Sequence, residues 1–353
     1  MKYHVTRCTI SPTTDDTLPW YDYSTLNEID QCNRKGSLLY IAKKQMPFVD
    51  REVALEAGTV VHEFCAAWNG WMLPPQALEC VFGTTRFAEM QNICEQSPGI
   101  DDINRRLLFA LSTIHTSDYY DEPNNDRRTI KNIEEVCRHW SMLQTKEHDI
   151  VAVEMPFDMT ISIEYTTSKL VHGSRPMPVT HMESRELTFR YVGRIDLVKY
   201  NVHGELLPLD YKTTGLYINE TYWIQHLLSP QTTGYQMALR CLYPDGAIAN
   251  YVEVEALRIP LIKSGTTPST ERRPFERGPS HIQHFLDFCI RNIEIAQCYA
   301  SEPWNAPMRH SHCNAYMKPC QFVELCVNPV EEDRESIVKE QMIDRNWDPL
   351  RKE

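Results

Sequence analysis

Two short runs constrain this chain more than any others: Gly193-Arg194-Ile195-Asp196-Leu197-Val198, and Leu209-Asp210-Tyr211-Lys212-Thr213-Thr214. Apolar and polar residues alternate through both, which predicts strands over Phe189 to Val198 and Glu205 to Lys212. Asn201-Val202-His203-Gly204 between them reads as the turn of a hairpin. Residues two apart on a strand share a face, so Asp210 and Lys212 project side by side, and the hairpin brings Asp196 toward Asp210. A surface ion pair is the ordinary account of such a pair. Against it, Leu206, Leu207 and Leu209 make the second strand largely apolar, and charges in an internal strand need partners. Two carboxylates can hold a hard divalent cation, and a lysine beside them can orient water or stabilise charge on a phosphate. That is the chemistry of metal-dependent phosphodiester hydrolysis.

Other segments fall in order around this pair. Ser24-Thr25-Leu26 and Cys32-Asn33-Arg34-Lys35 come first, then Ala57-Gly58-Thr59-Val60-Val61-His62-Glu63. Asp196 and Asp210-Tyr211-Lys212 follow, and then Gln231-Thr232-Thr233-Gly234-Tyr235. Taken together, from residue 24 to residue 326, the series resembles the motifs of the PD-(D/E)XK nuclease superfamily, most closely its RecB-like branch; Asn33 stands where that pattern has a proline. The resemblance implies a restriction-endonuclease-like α/β fold, with a mixed central sheet flanked by helices. It also implies a divalent-metal-dependent DNA nuclease, expected to act as an exonuclease on DNA ends or single strands in recombination, repair or processing.

Residue by residue, the resemblance makes His62, Asp196 and Asp210 metal ligands, with the Tyr211 carbonyl completing the protein side. Mg²⁺ or Mn²⁺ suits that mainly oxygen set. Lys212 would position the attacking water, and Gln231 and Tyr235, on one helix face, would meet the DNA backbone. Ser229 and Pro230 mark the start of their helix. Outside the resemblance, Gln231 and Tyr235 read as ordinary helix surface and His62 as a core histidine. Glu154 sits in an apolar stretch upstream of Asp196. It is either support for a metal or a partner side chain, or a strand-edge carboxylate.

Of the 12 cysteines, eight are scattered and read as small buried hydrophobes. Cys313, Cys320 and Cys326 cluster near the end without the close Cys-x-x-Cys pairs of most zinc sites. Their spacing resembles the C-terminal part of the iron–sulfur belt of AddB-like and CRISPR-adaptation nucleases, in which a distant upstream cysteine is the fourth ligand. Cys32 stands at that place. The implied group is a [4Fe–4S] cluster bound by residues 304–328 together with Cys32. Zinc, or plain thiols, are the alternatives.

The 353 residues are expected to form one nuclease domain, with a helical insertion over residues 70–148. The stretch Ser168 to Arg185 reads as a loop at a hairpin tip, and Glu271 to Arg277 as a loop over the active site. A net charge of −12, from 36 basic and 48 acidic residues, argues against a broad non-specific DNA coat. Contacts to DNA would be local, with Arg272, Arg273 and Arg277 the candidates. No signal peptide or membrane span is visible, so a cytoplasmic place in a bacterial or phage-infected cell is expected. No G-x-x-x-x-G-K loop occurs, so unwinding would require a helicase or recombination partner. Two alternatives to a stand-alone enzyme remain: a nuclease subunit active only with a helicase, and a non-catalytic DNA-binding iron–sulfur scaffold.

Overall fold

The Asn201–Gly204 turn closes through its own side chain. Asn201 Oδ1 accepts from the amides of His203 and Glu205, both at 2.9 Å, and Gly204 takes a φ of +74°. A positive φ costs glycine nothing, and an Asn that bonds its own backbone pins the turn. The hairpin register follows: Leu197 faces Leu209, Val198 faces Pro208 and Tyr200 faces Leu206.

The computed structural model describes residues 3–47, 53–97, 99–119, 127–144, 149–171, 179–261, 267–314, 319–346, 348 and 350. In chain order its elements are β1 (Tyr3–Pro12), β2 (Trp20–Tyr21), α1 (Tyr23–Gln31), α2 (Asn33–Gly36), β3 (Lys44–Gln45) and α3 (Val53–Gly70). Then come α4 (Pro75–Phe82), α5 (Thr84–Glu95), α6 (Asp102–His115), α7 (Ile130–Leu143), β4 (Ile150–Val171), β5 (Val179–Tyr200) and β6 (Leu206–Thr214). Last are α8 (Glu220–Leu227), α9 (Pro230–Leu242), β7 (Tyr251–Arg258), β8 (Ser269–Glu276), α10 (Pro279–Cys298), α11 (Val323–Val327), α12 (Glu331–Ser336) and β9 (Ile343–Asp344). The fold is mixed α/β, with mostly antiparallel strands flanked by helices. No helix among the described residues is long and apolar enough to cross a membrane.

The chain divides into two compact units, each assembled from separated segments. The first takes residues 1–51, 158–193 and 279–351. In it β1, a strand that the pattern reading leaves unassigned, pairs antiparallel with the outer half of β4, Ile10 against Ile161. The alternation of Ile161, Ile163 and Tyr165 with Thr160, Ser162 and Glu164 keeps β4 extended well past Met159. Of the stretch Ser168 to Arg185, expected as a loop, the residues up to Val171 and from Val179 are strand, and 172–178 lie outside the described residues. Pro176 and Pro178 lie outside the described residues.

The second unit takes residues 52–157 and 194–278. Strands β5, β6, β7 and β8 are hydrogen-bonded neighbours in that order, with β6 and β7 parallel and the other pairs antiparallel. Helices α3 to α7 build its main core, in which Phe64, Trp140 and Phe109 pack with Leu197, Leu209 and Tyr211. The opposite face of the sheet presents Val254 and Ala256 to Tyr222 and Trp223 of α8 and to Phe275. The segment Glu271 to Arg277, expected as a loop, is largely strand β8. Residues Tyr251 to Arg258 offer it a full antiparallel ladder, and β8 ends the strand order, an edge position where Pro274 is tolerated.

Candidate metal centre

Asp210 lies on β6 opposite Val254, and Lys212 opposite Ala256. Both therefore face the α8 side, whereas Leu209 and Tyr211 face the α3 core. Asp210 is fully buried. Its Oδ1 accepts from Lys212 Nζ at 2.8 Å, while its Oδ2 is buried with no hydrogen-bond partner among the described residues. A buried carboxylate with one oxygen unsatisfied is costly unless a further partner arrives.

Lys212 Nζ also donates to Gln231 Oε1 at 2.9 Å, and Gln231 Nε2 donates to the Tyr235 hydroxyl at 3.0 Å. Pro230 at the first turn of α9 and the four-residue spacing of Gln231 and Tyr235 set up this relay. Tyr235 is itself buried and stacks edge-on against Phe157. The glutamine thus fixes the lysine, a positioning role that the sequence alone does not reveal.

Asp196 Oδ2 accepts from the Tyr211 amide at 2.7 Å and lies 3.4 Å from His62 Nδ1. His62 comes from α3, and its ring meets Tyr211 edge-on at 6.1 Å. The helix can come this close because Gly58, one turn before His62, has no side chain. A β-carbon there would meet Thr213 Oγ1 at 3.0 Å. Asn69, seven residues after His62 and so on the same helix face, donates to the Tyr211 hydroxyl at 2.9 Å. The spacing of Asn69 from His62 was the available signal for it, and sequence reading missed it.

Glu154 joins this group. One ligand atom each from His62, Glu154 and Asp196 lie within 4.8 Å of one another, the one such group among the described residues. Asp210 stands outside that trio.

His226 and Arg277 are both buried near Asp210. Burial pushes the His226 imidazole down to about 4, with the nearby Asp210 opposing the shift. Its Nε2 is buried without a hydrogen-bond partner among the described residues. Arg277 is only 1% exposed and donates to Thr232 Oγ1 and to the carbonyls of His226 and Glu276. Burial lowers it to about 10.

The three candidate DNA arginines are placed differently from one another. Arg277 is interior. Arg272 is bound to Glu255 Oε2 at 2.6 Å and to Gln144 Oε1 at 3.1 Å, in a half-buried network that Trp140 Nε1 joins at 3.0 Å from Glu255 Oε1. Arg273 lies nearer the surface, paired with Glu220 and Glu271.

No family model matches the sequence, and no curated protein matches it. Among solved structures, one described as "Crystal structure of SSO0001" aligns over 72% of this chain and 84% of that chain, at 12% identity and a TM-score of 0.29.

In the first unit, Cys32 is extended between α1 and α2 and is buried, while Cys313, Cys320 and Cys326 are half-buried. The Cys320 amide donates to the Cys313 carbonyl at 2.8 Å. Burial raises the Cys320 thiol, Lys35 lowers it, and neighbouring Cys326 and Cys32 raise it further. Burial likewise raises Cys326, Arg34 lowers it, and Cys32 and Cys313 raise it further. Cys32 thus lies near enough to Cys320 and Cys326 to act on their thiols electrostatically. Arg34 helps hold it there: its Nε donates to the Ala306 carbonyl at 2.9 Å and its amide to the Pro307 carbonyl at 3.0 Å. All twelve cysteines are free thiols.

Proposed function

We propose that this chain is a divalent-metal-dependent nuclease of the RecB-like PD-(D/E)XK kind, with a restriction-endonuclease-like core, acting on DNA ends or single strands. The observation that carries the reading is the buried Asp210, with one oxygen on Lys212 and the other unsatisfied, beside a metal-sized group of His62, Glu154 and Asp196.

These residues fit a hard cation. The donors are mainly carboxylate oxygens, which suit Mg²⁺ or Mn²⁺, with one imidazole. His62, Asp196 and Asp210 would hold the metal, which when bound makes water more acidic and offsets charge on a phosphate. The chain's own contribution is positional. Gln231 and Asp210 lock the Lys212 ammonium from two sides, so it can orient a water or a phosphate oxygen without reorganising. The Tyr211 amide fixes the Asp196 carboxylate, and Asn69 anchors the far end of the same tyrosine.

Thiolates suit a soft metal group, and we read Cys32, Cys313, Cys320 and Cys326 as ligands of a [4Fe–4S] cluster; the electrostatic influence of Cys32 on Cys320 and Cys326 supports that reading. Protein purified without oxygen is expected to carry about four iron and four sulfide per chain. Zinc alone in elemental analysis would replace the cluster with a zinc site.

The test of the nuclease reading is degradation of end-labelled single- and double-stranded DNA with Mg²⁺, Mn²⁺ or EDTA. Metal-dependent loss of DNA that vanishes in Lys212→Ala supports it, and the label position gives the polarity. No cleavage of any substrate by cluster-loaded protein sinks it.

A further inference from the structure

Arg258 is the last residue of β7 and is only 8% exposed. It sits opposite Thr214, two residues beyond the rung on which Ala256 faces Lys212. Val254 and Ala256 face the α8 side, so strand alternation puts Arg258 on the face that carries Asp210 and Lys212. Two residues of strand span about 6.6 Å, on the scale of one backbone step of an extended nucleic-acid strand.

An arginine this buried normally has a carboxylate beside it. Arg258 does not: among the described residues it takes part in no hydrogen bond or ion pair, and its Nε is buried without a partner. Glu271, opposite Ala256 on β8, is bound instead to Arg273 Nε at 2.6 Å. A desolvated guanidinium without a counter-charge is costly, and the guanidinium is the side chain best matched to a phosphate.

The group that covers Arg258 is Tyr217, whose ring centroid lies 3.8 Å from the guanidinium carbon. The chain leaving β6 is pinned there: Thr214 Oγ1 accepts from the Leu216 amide at 3.0 Å, and the Thr214 carbonyl from the Ile259 amide at 2.8 Å. Arg127 packs on the same loop, where a β-carbon at Gly215 would meet its Nη1 at 2.0 Å. Tyr217 is 67% exposed, an aromatic ring backed by a cation and otherwise in water. A ring so held is a platform on which an unpaired base stacks.

We propose that Arg258 and Tyr217 form a nucleotide subsite one backbone step from the acidic centre. The guanidinium takes the phosphate next to the one that is cleaved, and the Tyr217 ring stacks the attached base, which selects an unpaired strand. The inference rests on the nuclease reading above and deepens it by naming the form of nucleic acid held beside the site.

The probe is a short fluorescein-labelled oligothymidylate, its binding followed by fluorescence anisotropy in Ca²⁺ for the wild type, Arg258→Met, Tyr217→Ala and Tyr217→Phe. Arg258→Met is expected to weaken binding about tenfold or more and to reduce the slope of log affinity against log salt by about 0.7. It should keep or raise the melting temperature, because it removes an uncompensated buried charge. Tyr217→Ala is expected to weaken binding about fivefold or more, and Tyr217→Phe, which keeps the ring, to stay within about twofold of the wild type. Wild-type affinity in Arg258→Met or in Tyr217→Ala overturns the proposal, as does a wild type that does not bind the strand. Weak binding in Arg258→Met that accompanies a lower melting temperature also overturns it, since the arginine is then structural. Cleavage by the wild type in Mg²⁺, measured separately, keeps the two readings apart. If the wild type degrades DNA while both variants bind normally, only the subsite falls. If Arg258→Met and Tyr217→Ala lose the strand as expected but the wild type cleaves nothing, the subsite stands and the nuclease reading falls.

Discussion

Lys212 Nζ lies 2.8 Å from Asp210 Oδ1, and Asp210 has no exposed surface. A buried carboxylate stripped of its counter-charge is strongly destabilising, by about 3–5 kcal/mol. Lys212→Ala should therefore lower the metal-free melting temperature as well as abolish cleavage. Mn²⁺ should recover part of the lost stability if it reaches the orphaned Asp210 oxygen. Thermal unfolding with and without Mn²⁺ measures both effects. An unchanged melting temperature would mean that the Lys212 ammonium does not stabilise Asp210 in the folded protein.

Gln231 Oε1 accepts from the same ammonium at 2.9 Å. If its role is to hold Lys212, Gln231→Ala should lower kcat about 10- to 100-fold, as loss of an orienting partner does, with DNA affinity nearly intact. If it instead meets the DNA backbone, affinity should fall and kcat at saturation should hold. Binding measured in Ca²⁺, beside single-turnover cleavage in Mg²⁺, separates the two.

The hairpin, its turn and the shared face of Asp210 and Lys212 were legible because strand alternation and an Asn-Gly turn are local physics. So was the start of α9 at Pro230. Glu154 was legible only as an acid in an apolar strand, since its approach to Asp196 depends on a long-range pairing. The arginine run at 271–277 misled. Pattern alone cannot tell a basic loop from an edge strand in which Arg272 neutralises Glu253 and Glu255 across the ladder. Arg277 gave no sequence signal of burial, because its donors are consumed by backbone carbonyls and a threonine.

Arg272 accordingly has a structural role in this fold. Its guanidinium reaches Glu255 through Nε at 3.1 Å and Nη2 at 2.6 Å. Arg272→Ala should leave Glu255 buried and unpaired, at a cost of about 3–5 kcal/mol, and the double change Arg272→Met with Glu255→Leu should recover much of it. Denaturant unfolding of the three proteins checks this. Wild-type stability in Arg272→Ala, together with a loss of DNA affinity, would return the residue to the DNA surface.

His226 makes stability depend on pH. Its folded value of about 4 lies below the ordinary 6.5, so the folded protein holds it neutral while the unfolded chain protonates it. The unfolded state then binds more protons between pH 6.5 and 4, and stability rises with pH across that window. The contribution is fully present above pH 6.5 and is lost as pH falls toward 4, in total about 3 kcal/mol. His226→Phe, which removes the titration but keeps a ring among Tyr222, Trp223 and Phe275, should flatten the window. The quantity to follow is the difference in unfolding free energy between variant and wild type in metal-free buffer from pH 7 to 4.5. The variant should gain on the wild type as the pH drops; a difference that stays constant would mean that burial does not hold His226 neutral in the folded protein.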